Sequence, residues 1–182
     1  MKLTETEFKG LVVLEPKVFG DARGFFMESF NARVLEQLGL EANFVQDNQS
    51  FSTAGVLRGL HYQNVPYAQT KLVRALAGRI LDVVVDLRRE ETTFGKWFSV
   101  ELSSDNKKQL YVPKGFANGF AVLSDTAEVL YKCDNYYSKE SEGGLYYDDP
   151  ALAIDWTIPR EKVTLSDKDK VNPMLEKATY FF

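Results

Sequence analysis

The chain has 182 residues, of which 45% are hydrophobic and 26% are charged, and its formal net charge is −4. This length and composition are typical of one globular domain, which we expect to span residues 1–182. The mild charge, with no basic stripe, argues against nucleic-acid binding. No run approaches the roughly 18 apolar residues of a membrane span. We therefore expect neither nucleic-acid nor membrane partners.

Cysteine and histidine each occur once, as Cys133 and His61. A single cysteine excludes an internal disulfide and indicates a reducing compartment. Because the opening segment MKLTETEFKG also lacks the apolar core of a signal peptide, we expect a cytoplasmic protein. One histidine cannot build a two- or three-histidine metal site within one chain, so we expect no bound metal.

Short extended runs separated by turn residues dominate the sequence. The runs that fit the strand pattern are LVVLEP, ANFVQDNQSF, VLRGLHYQ, TKLVRALAG, RILDVVVDLR, KWFSVELS, QLYVP, GFAVLS and AEVLYKCDNYY. Helical periodicity occurs once, over residues 32–38. This pattern predicts an all-β sandwich or barrel. The polar residues 157–173 predict an irregular or weakly helical segment that could fold back over the barrel.

One strand carries an alternation of its own. In RILDVVVDLR, Leu81, Val83 and Val85 alternate with Asp82, Val84 and Asp86. Alternation with period two is typical of a strand with one face against the core and one face that is partly polar.

The only histidine is the first candidate for catalysis. A lone histidine on a strand is more often structural, but the cations Arg58 and Lys71 also lie in strand-like runs, where apolar residues are the rule. These cations favour a pocket that receives phosphates, although solvent-facing side chains are the alternative. A regular strand places Arg58 and His61 on opposite faces, so both can line one cavity only if Gly59 breaks the alternation.

Three further residues have a structural and a functional interpretation. Tyr131 is by itself a core tyrosine, and Asp169 is a surface charge unless it approaches His61, where a carboxylate would orient the imidazole. Asn118 lies in the tight turn VPKGFANGF, and its spacing leaves open whether it faces a pocket.

Many segments, in this order and spacing, resemble one known family. They run from about Glu15 to about Pro173: EPKVFGDARGFFMESF, FVQDNQS, VLRGLHYQ, TKLVRALAG, VDLRRE, TTFGKW, VPKGFANGF, LYKCDNYY, SEGG and LSDKDK. The sequence is similar to the RmlC-type dTDP-4-dehydrorhamnose 3,5-epimerases. The resemblance implies a cupin-type jelly-roll β-sandwich with a few short helices at the termini. It also implies a homodimer that lends a strand across the interface and uses no metal or other cofactor.

The resemblance further implies an isomerase that inverts C3 and C5 of dTDP-4-dehydro-6-deoxy-D-glucose to give dTDP-4-dehydro-L-rhamnose. By position, His61 is the base, Asp169 its carboxylate partner, Tyr131 the proton donor, and Lys71 the cation near the ketone. The positions that correspond to substrate-binding residues are Arg23, Glu28, Gln46, Asn48, Arg58, Asn118, Glu142 and Lys168.

Two positions depart from the family pattern: Asn118 and Gln49 stand where many members have histidine. An asparagine can donate and accept hydrogen bonds but cannot carry charge. The alternatives are a 3- or 3,5-epimerase for a different 4-keto nucleotide sugar (GDP- or CDP-linked), and a catalytically silent cupin-type module that binds nucleotide sugars.

Overall fold

A computed structural model describes residues 1–41, 43–180 and 182. In chain order, the strands are β1 (Lys2–Glu5), β2 (Val12–Glu15), β3 (Val18–Asp21), β4 (Gly24–Met27), β5 (Gln46–Thr53), β6 (Leu57–Gln63), β7 (Lys71–Ala77), β8 (Arg79–Asp86), β9 (Trp97–Ser103), β10 (Gln109–Val112), β11 (Phe116–Val122), β12 (Thr126–Cys133) and β13 (Glu142–Gly144). The α-helices are α1 (Ala32–Gln37) and α2 (Asp167–Lys170), and 3-10 turns cover Arg160–Lys162 and Leu175–Lys177.

The strands form two large antiparallel sheets and one hairpin. The six-stranded sheet has the order β1-β2-β10-β7-β12-β5, and the five-stranded sheet has the order β13-β6-β11-β8-β9. Within the described part of the chain, strands β3 and β4 pair only with each other. The all-β sandwich predicted from the sequence is therefore confirmed.

The main core lies between the two sheets and is built from alternate residues of facing strands. Val73 and Ala75 of β7 and Val129 of β12 meet Val84 of β8 and Phe120 of β11 there. Each of these side chains is at most 8% exposed. The runs predicted to be strands form β2 and β5–β12. The run ANFVQDNQSF begins with Ala42, which lies outside the described residues.

A second apolar layer covers the outer face of the five-stranded sheet. Leu81, Val83 and Val85 of β8 pack there with Leu152 and Trp156 from the C-terminal part of the chain. Because both faces of β8 are covered, every residue from Ile80 onward in this strand is buried. The partly polar face expected on β8 is present but covered, and Asp82 and Asp86 are both completely buried.

The helical prediction over residues 32–38 is confirmed by α1, which packs on the outer face of the six-stranded sheet. Asn31 caps the helix, since its side chain accepts a hydrogen bond from the Val34 N–H. Leu35 is fully buried beside Leu14 and Leu72. Among the residues that the structure describes, no helix is long and apolar enough to cross a membrane.

The polar segment after Trp156 folds back along the edge of the sandwich. Its only regular elements in the described part are the short 3-10 turns and α2, as predicted. The Leu57 N–H donates to the Thr164 carbonyl at 3.0 Å, which ties the segment to the start of β6. Ser166 then caps α2 by accepting from the Asp169 N–H at 3.1 Å. This cap places Asp169 at the mouth of the sandwich.

Candidate active site

A cleft of about 500 Å³ opens between the two sheets, where β5, β7 and β12 face β6 and β11. Residues 164–169 of the C-terminal segment close one side. The polar and charged side chains that line the cleft are Asn48, Gln49, Ser50, Arg58, His61, Lys71, Asn118, Tyr131, Thr164, Ser166, Lys168 and Asp169. Its volume is in the range of about 300–1,000 Å³ that is usual for small-molecule sites.

The break in β6 at Gly59 allows Arg58 and His61 to line the same cleft. Gly59 has φ +130°, and the pairing of β6 with β11 shifts register beside it. A Cβ atom at Gly59 would lie 2.6 Å from the Cα of Gly119, so only glycine fits between the strands. The expectation that Gly59 interrupts the strand alternation is confirmed.

His61 and Asp169 form a hydrogen-bonded pair at the wall of the cleft, with Nε2 and Oδ1 2.5 Å apart. The Asp169 side chain is only 3% exposed. Burial acts to raise the pKa of this carboxyl, but the hydrogen bond and charge of His61, together with hydrogen bonds from Ser166 and the Gly59 N–H, hold the pKa below its usual range. An ionised Asp169 accepts the Nε2 hydrogen, so the neutral ring carries its lone pair on Nδ1.

Tyr131 and Lys71 enter the cleft from the opposite sheet to His61. Both stand on neighbouring strands of the six-stranded sheet, whereas His61 belongs to the five-stranded sheet. The Lys71 Nζ lies 5.8 Å from the centre of the Tyr131 ring. Burial raises the pKa of Tyr131, so its phenol is protonated at neutral pH. The cleft thus holds an imidazole and a phenol on opposite walls, with an ammonium beside the phenol.

A second cavity, of about 380 Å³, shares Asn48, His61, Lys71 and Tyr131 with the cleft. Gln46 and Glu142, the two other expected substrate-binding residues in this region, line the second cavity and not the first.

Glu142 forms an ion pair with Lys168, which lines the cleft. It also accepts a hydrogen bond from the Tyr137 hydroxyl at 3.0 Å. Arg58 donates to Ser52 Oγ at 3.0 Å on the neighbouring edge strand. Arg58 and Lys168, two of the residues expected to bind substrate, therefore both line the cleft.

The two positions that depart from the family pattern have partners within the protein. Asn118 Nδ2 donates to Asp82 Oδ1 at 2.5 Å and to the Val83 carbonyl at 3.2 Å. Gln49 donates to Glu128 Oε1 at 2.5 Å. Both residues line the cleft.

Arg23 and Glu28 do not line either cavity of their own chain. Arg23 is 89% exposed at the tip of the β3–β4 hairpin, where its guanidinium pairs with Asp21. Glu28 follows β4 and accepts a hydrogen bond from the Asn31 amide at 3.0 Å. The structure brings the other expected site residues together but leaves these two apart.

Sequence reasoning missed two residues at the site. Asp82 is fully buried next to Asn118, and the signal that could have identified it is a carboxylate in register with Ile80 and Val84, which both face the core. Tyr137 lines the second cavity, and nothing in its sequence context distinguishes it from its neighbour Tyr136.

Potential metal ligands are few around the cleft, where His61 and Asp169 are paired with each other. In residues 1–41, 43–180 and 182, no group of three or more His, Cys, Asp or Glu side chains is arranged to hold a metal ion.

Comparison with known proteins decides the family. The family model described as dTDP-4-dehydrorhamnose 3,5-epimerase matches residues 5–177. The chain belongs to this family. A dTDP-4-dehydrorhamnose 3,5-epimerase from Shigella flexneri is 53% identical over 182 residues, which are 100% of this chain and 99% of the relative.

Solved structures of family members share the fold. The crystal structure of the dTDP-4-dehydrorhamnose 3,5-epimerase from Elizabethkingia anophelis NUHP1 is 53% identical, covers 97% of both chains and has a TM-score of 0.93. The RmlC enzyme from Legionella pneumophila, solved in complex with dTDP-4-keto-L-rhamnose, is 48% identical with the same TM-score and covers 100% of this chain and 98% of its own. The expected cupin-type jelly roll is therefore confirmed.

Proposed function

We propose that the protein is a nucleotide-sugar epimerase that converts dTDP-4-dehydro-6-deoxy-D-glucose to dTDP-4-dehydro-L-rhamnose by inverting C3 and C5. The observation that carries the proposal is one cleft with the His61–Asp169 pair on one wall and Tyr131 with Lys71 on the other. The family relationship supports the same reaction.

Proton removal is the task of His61. Both C3 and C5 adjoin the C4 ketone, so their protons are acidic once the resulting enolate is stabilised. Nδ1 of His61 takes the proton, and the C–H electron pair moves into the new C=C bond and onto the ketone oxygen. Asp169 orients the ring and stabilises the imidazolium that forms.

Stabilisation of the enolate is the task of Lys71. Its ammonium lies in a partly dry cleft, where a charge interaction with an oxyanion is much stronger than in water. Burial lowers the pKa of Lys71, while the nearby charges of Cys133, Asp82 and Glu142 act in the opposite direction. The neighbouring carboxylates thus help to keep Lys71 in the charged form that the enolate requires.

Tyr131 supplies the new proton from the other side of the sugar ring. Inversion requires that the proton leaves one face of the sugar carbon and that a different proton arrives on the opposite face. Tyr131 stands on the opposite sheet from His61 and is protonated at neutral pH, so it can supply that proton. Solvent then returns a proton to the phenolate and accepts one from the imidazolium, so the net reaction changes only configuration.

Binding of the nucleotide is assigned to the polar residues around these groups. Arg58 and Lys168 stand at the rim with charge for the diphosphate, and Asn48, Gln46 and Glu142 extend into the second cavity. Asn118 lines the same wall as His61. A long ligand such as a dTDP-sugar would span both cavities, which share four residues.

We also propose a homodimer in which the β3–β4 hairpin of each copy meets the other. Val18, Phe19, Phe25 and Phe26 of this hairpin are 42–68% exposed, a large apolar surface for one short element. Pairing of two copies would cover this surface and could bring Arg23 and Glu28 to the cleft of the partner. Sedimentation equilibrium should give about twice the chain mass of 20.7 kDa, and a single-chain mass would contradict the proposal.

A cytoplasmic location completes the proposal. Cys133 is a buried free cysteine, which is typical of proteins from reducing compartments. Fractionation of source cells tests this, and recovery of the protein outside the cytoplasmic fraction would overturn it.

The proposed reaction is tested by incubating the purified protein with dTDP-4-dehydro-6-deoxy-D-glucose in D₂O and following C3 and C5 by NMR. Deuterium at both carbons, together with the L-configured product, is the expected result. Deuterium at C3 alone would indicate a 3-epimerase. Absence of deuterium at both carbons, with dTDP still bound, would reject catalysis and leave a binding module.

A further inference from the structure

A carboxylate lies inside the apolar core directly beside the cleft. Asp82 is 0% exposed and lies between Ile80 and Val84 on the core-facing side of β8. Its Oδ1 accepts from Asn118 Nδ2 at 2.5 Å, whereas its Oδ2 has no hydrogen-bond partner among the described residues. Burying a carboxylate with only one oxygen hydrogen-bonded costs folding free energy, which indicates that Asp82 has a functional role.

The Asn118 side chain is committed to this carboxylate. Asn118 has two N–H hydrogens, and Nδ2 directs them at Asp82 Oδ1 and at the Val83 carbonyl. Only its side-chain oxygen remains to meet a ligand in the cleft. The geometry therefore connects Asn118 mainly to Asp82.

The positively charged partner of Asp82 stands on the facing sheet. Lys71 stands on β7 in the same inward-facing series as Val73 and Ala75, and its charge attracts that of Asp82. Burial raises the pKa of Asp82 to about 7, while the hydrogen bond from Asn118 and the charge of Lys71 act to lower it. Loss of the Asn118 donor would therefore favour the protonated acid, which no longer attracts Lys71.

We propose that Asn118 is a positioning residue that favours the ionised form of Asp82, the counter-charge of Lys71, so that Lys71 enters the reaction as an ammonium. The inference rests on the proposed epimerase function. Asparagine cannot ionise, so in this chain Lys71 is the charged partner of Asp82. A histidine at position 118 could carry a charge and share that role.

Several other titratable groups face this centre and must be considered in any pH profile. They are His61 and Arg58 from β6, Tyr131 and Cys133 from β12, and Glu142 from β13. These groups are present in every variant below, so the comparison between Asn118 and Asp82 substitutions is made against the same background.

The first readout needs no activity. In protein labelled with ¹³C at the aspartate carboxyl groups, the Asp82 resonance is assigned by its absence in Asp82→Asn and titrated in the wild type and in Asn118→Leu. Leucine has nearly the shape of asparagine but no donor. The Asp82 midpoint should rise by about one pH unit or more, since the lost hydrogen bond is to a charged group. An unchanged midpoint would overturn the proposal.

The second readout is the pH profile of deuterium exchange. Asn118→Leu and Asp82→Asn should each move the basic limb of kcat to lower pH, and the double variant should behave as Asp82→Asn alone because Asn118 acts through Asp82. Gln49→Ala, which also changes the cleft wall, should leave that limb in place.

Losses that add in the double variant, or a raised KM with an unmoved limb, would instead make Asn118 a direct substrate ligand. If the wild type shows no exchange at all, the epimerase proposal fails, while the carboxyl titration still decides the role of Asn118. Thermal unfolding of each variant checks that it is folded.

Discussion

Substitution of His61 by Gln is expected to lower the rate of deuterium incorporation at C3 and C5 by about 10²–10⁴, the usual worth of a positioned general base. The Gln side chain can place an N–H where Nε2 of His61 donates to Asp169, so the buried carboxylate keeps its partner. What is lost is the lone pair on Nδ1. The measurement is initial-rate exchange by NMR at saturating substrate, with dTDP affinity measured in parallel.

Asp169→Asn is the matched comparison for His61→Gln. The amide would donate to Nε2, which moves the ring hydrogen to Nδ1 and removes the lone pair that faces the substrate. All other groups stay in place, so dTDP affinity should change little while exchange falls by a similar factor. Near-normal exchange in both variants would show that another group is the base.

Substitution of Lys71 by Met should reduce kcat by about 10²–10³, comparable to the loss of one oxyanion-stabilising donor. Methionine retains most of the length of the side chain but removes the ammonium that lies beside the Tyr131 ring. Because the ammonium is needed mainly when charge develops on the ketone oxygen, the loss should appear in kcat more than in KM. The measurement is steady-state conversion at several substrate concentrations.

Lys168→Met provides the control for charge alone. Lys168 lines the same cleft but stands at its exposed rim, paired with Glu142. Its removal should raise KM and leave kcat nearly unchanged, because a rim cation binds substrate and transition state alike. The same kcat loss in both lysine variants would contradict a special role for Lys71.

The strands that sequence reasoning identified are those with long apolar runs. β6 and β8 bury most of their residues and β12 exposes only Thr126, so their pattern is visible in the sequence. The β3–β4 hairpin was missed because nearly all its residues are exposed, and β13 because it has three residues with two glycines.

The burial of the partly polar face of β8 has its cause elsewhere in the chain. Period-two alternation suggests that the apolar face packs in the core and the other face meets solvent, but here the apolar face of Leu81 and Val83 packs under Trp156 of the distant C-terminal part. The face of Asp82 therefore lies between the two sheets, a placement that local spacing cannot reveal.

Some features of the site could be predicted from the residues themselves, and others only from the family resemblance. The requirement for a break at Gly59 followed from strand geometry and is confirmed. The approach of Asp169 to His61 joins residues 108 positions apart, so it came from the family resemblance and not from spacing. The chemical roles assigned to these residues stay predictions until variants are measured.

The central claim is that His61 and Tyr131 act on opposite faces of one sugar carbon. It is tested by recovering unreacted substrate from reactions of Tyr131→Phe and His61→Gln in D₂O and measuring deuterium at C3. Tyr131→Phe should yield substrate that is deuterated with its configuration retained, because His61 can remove a proton and return deuterium to the same face. His61→Gln should yield undeuterated substrate. Undeuterated substrate from Tyr131→Phe, or inverted product from His61→Gln, would contradict the account.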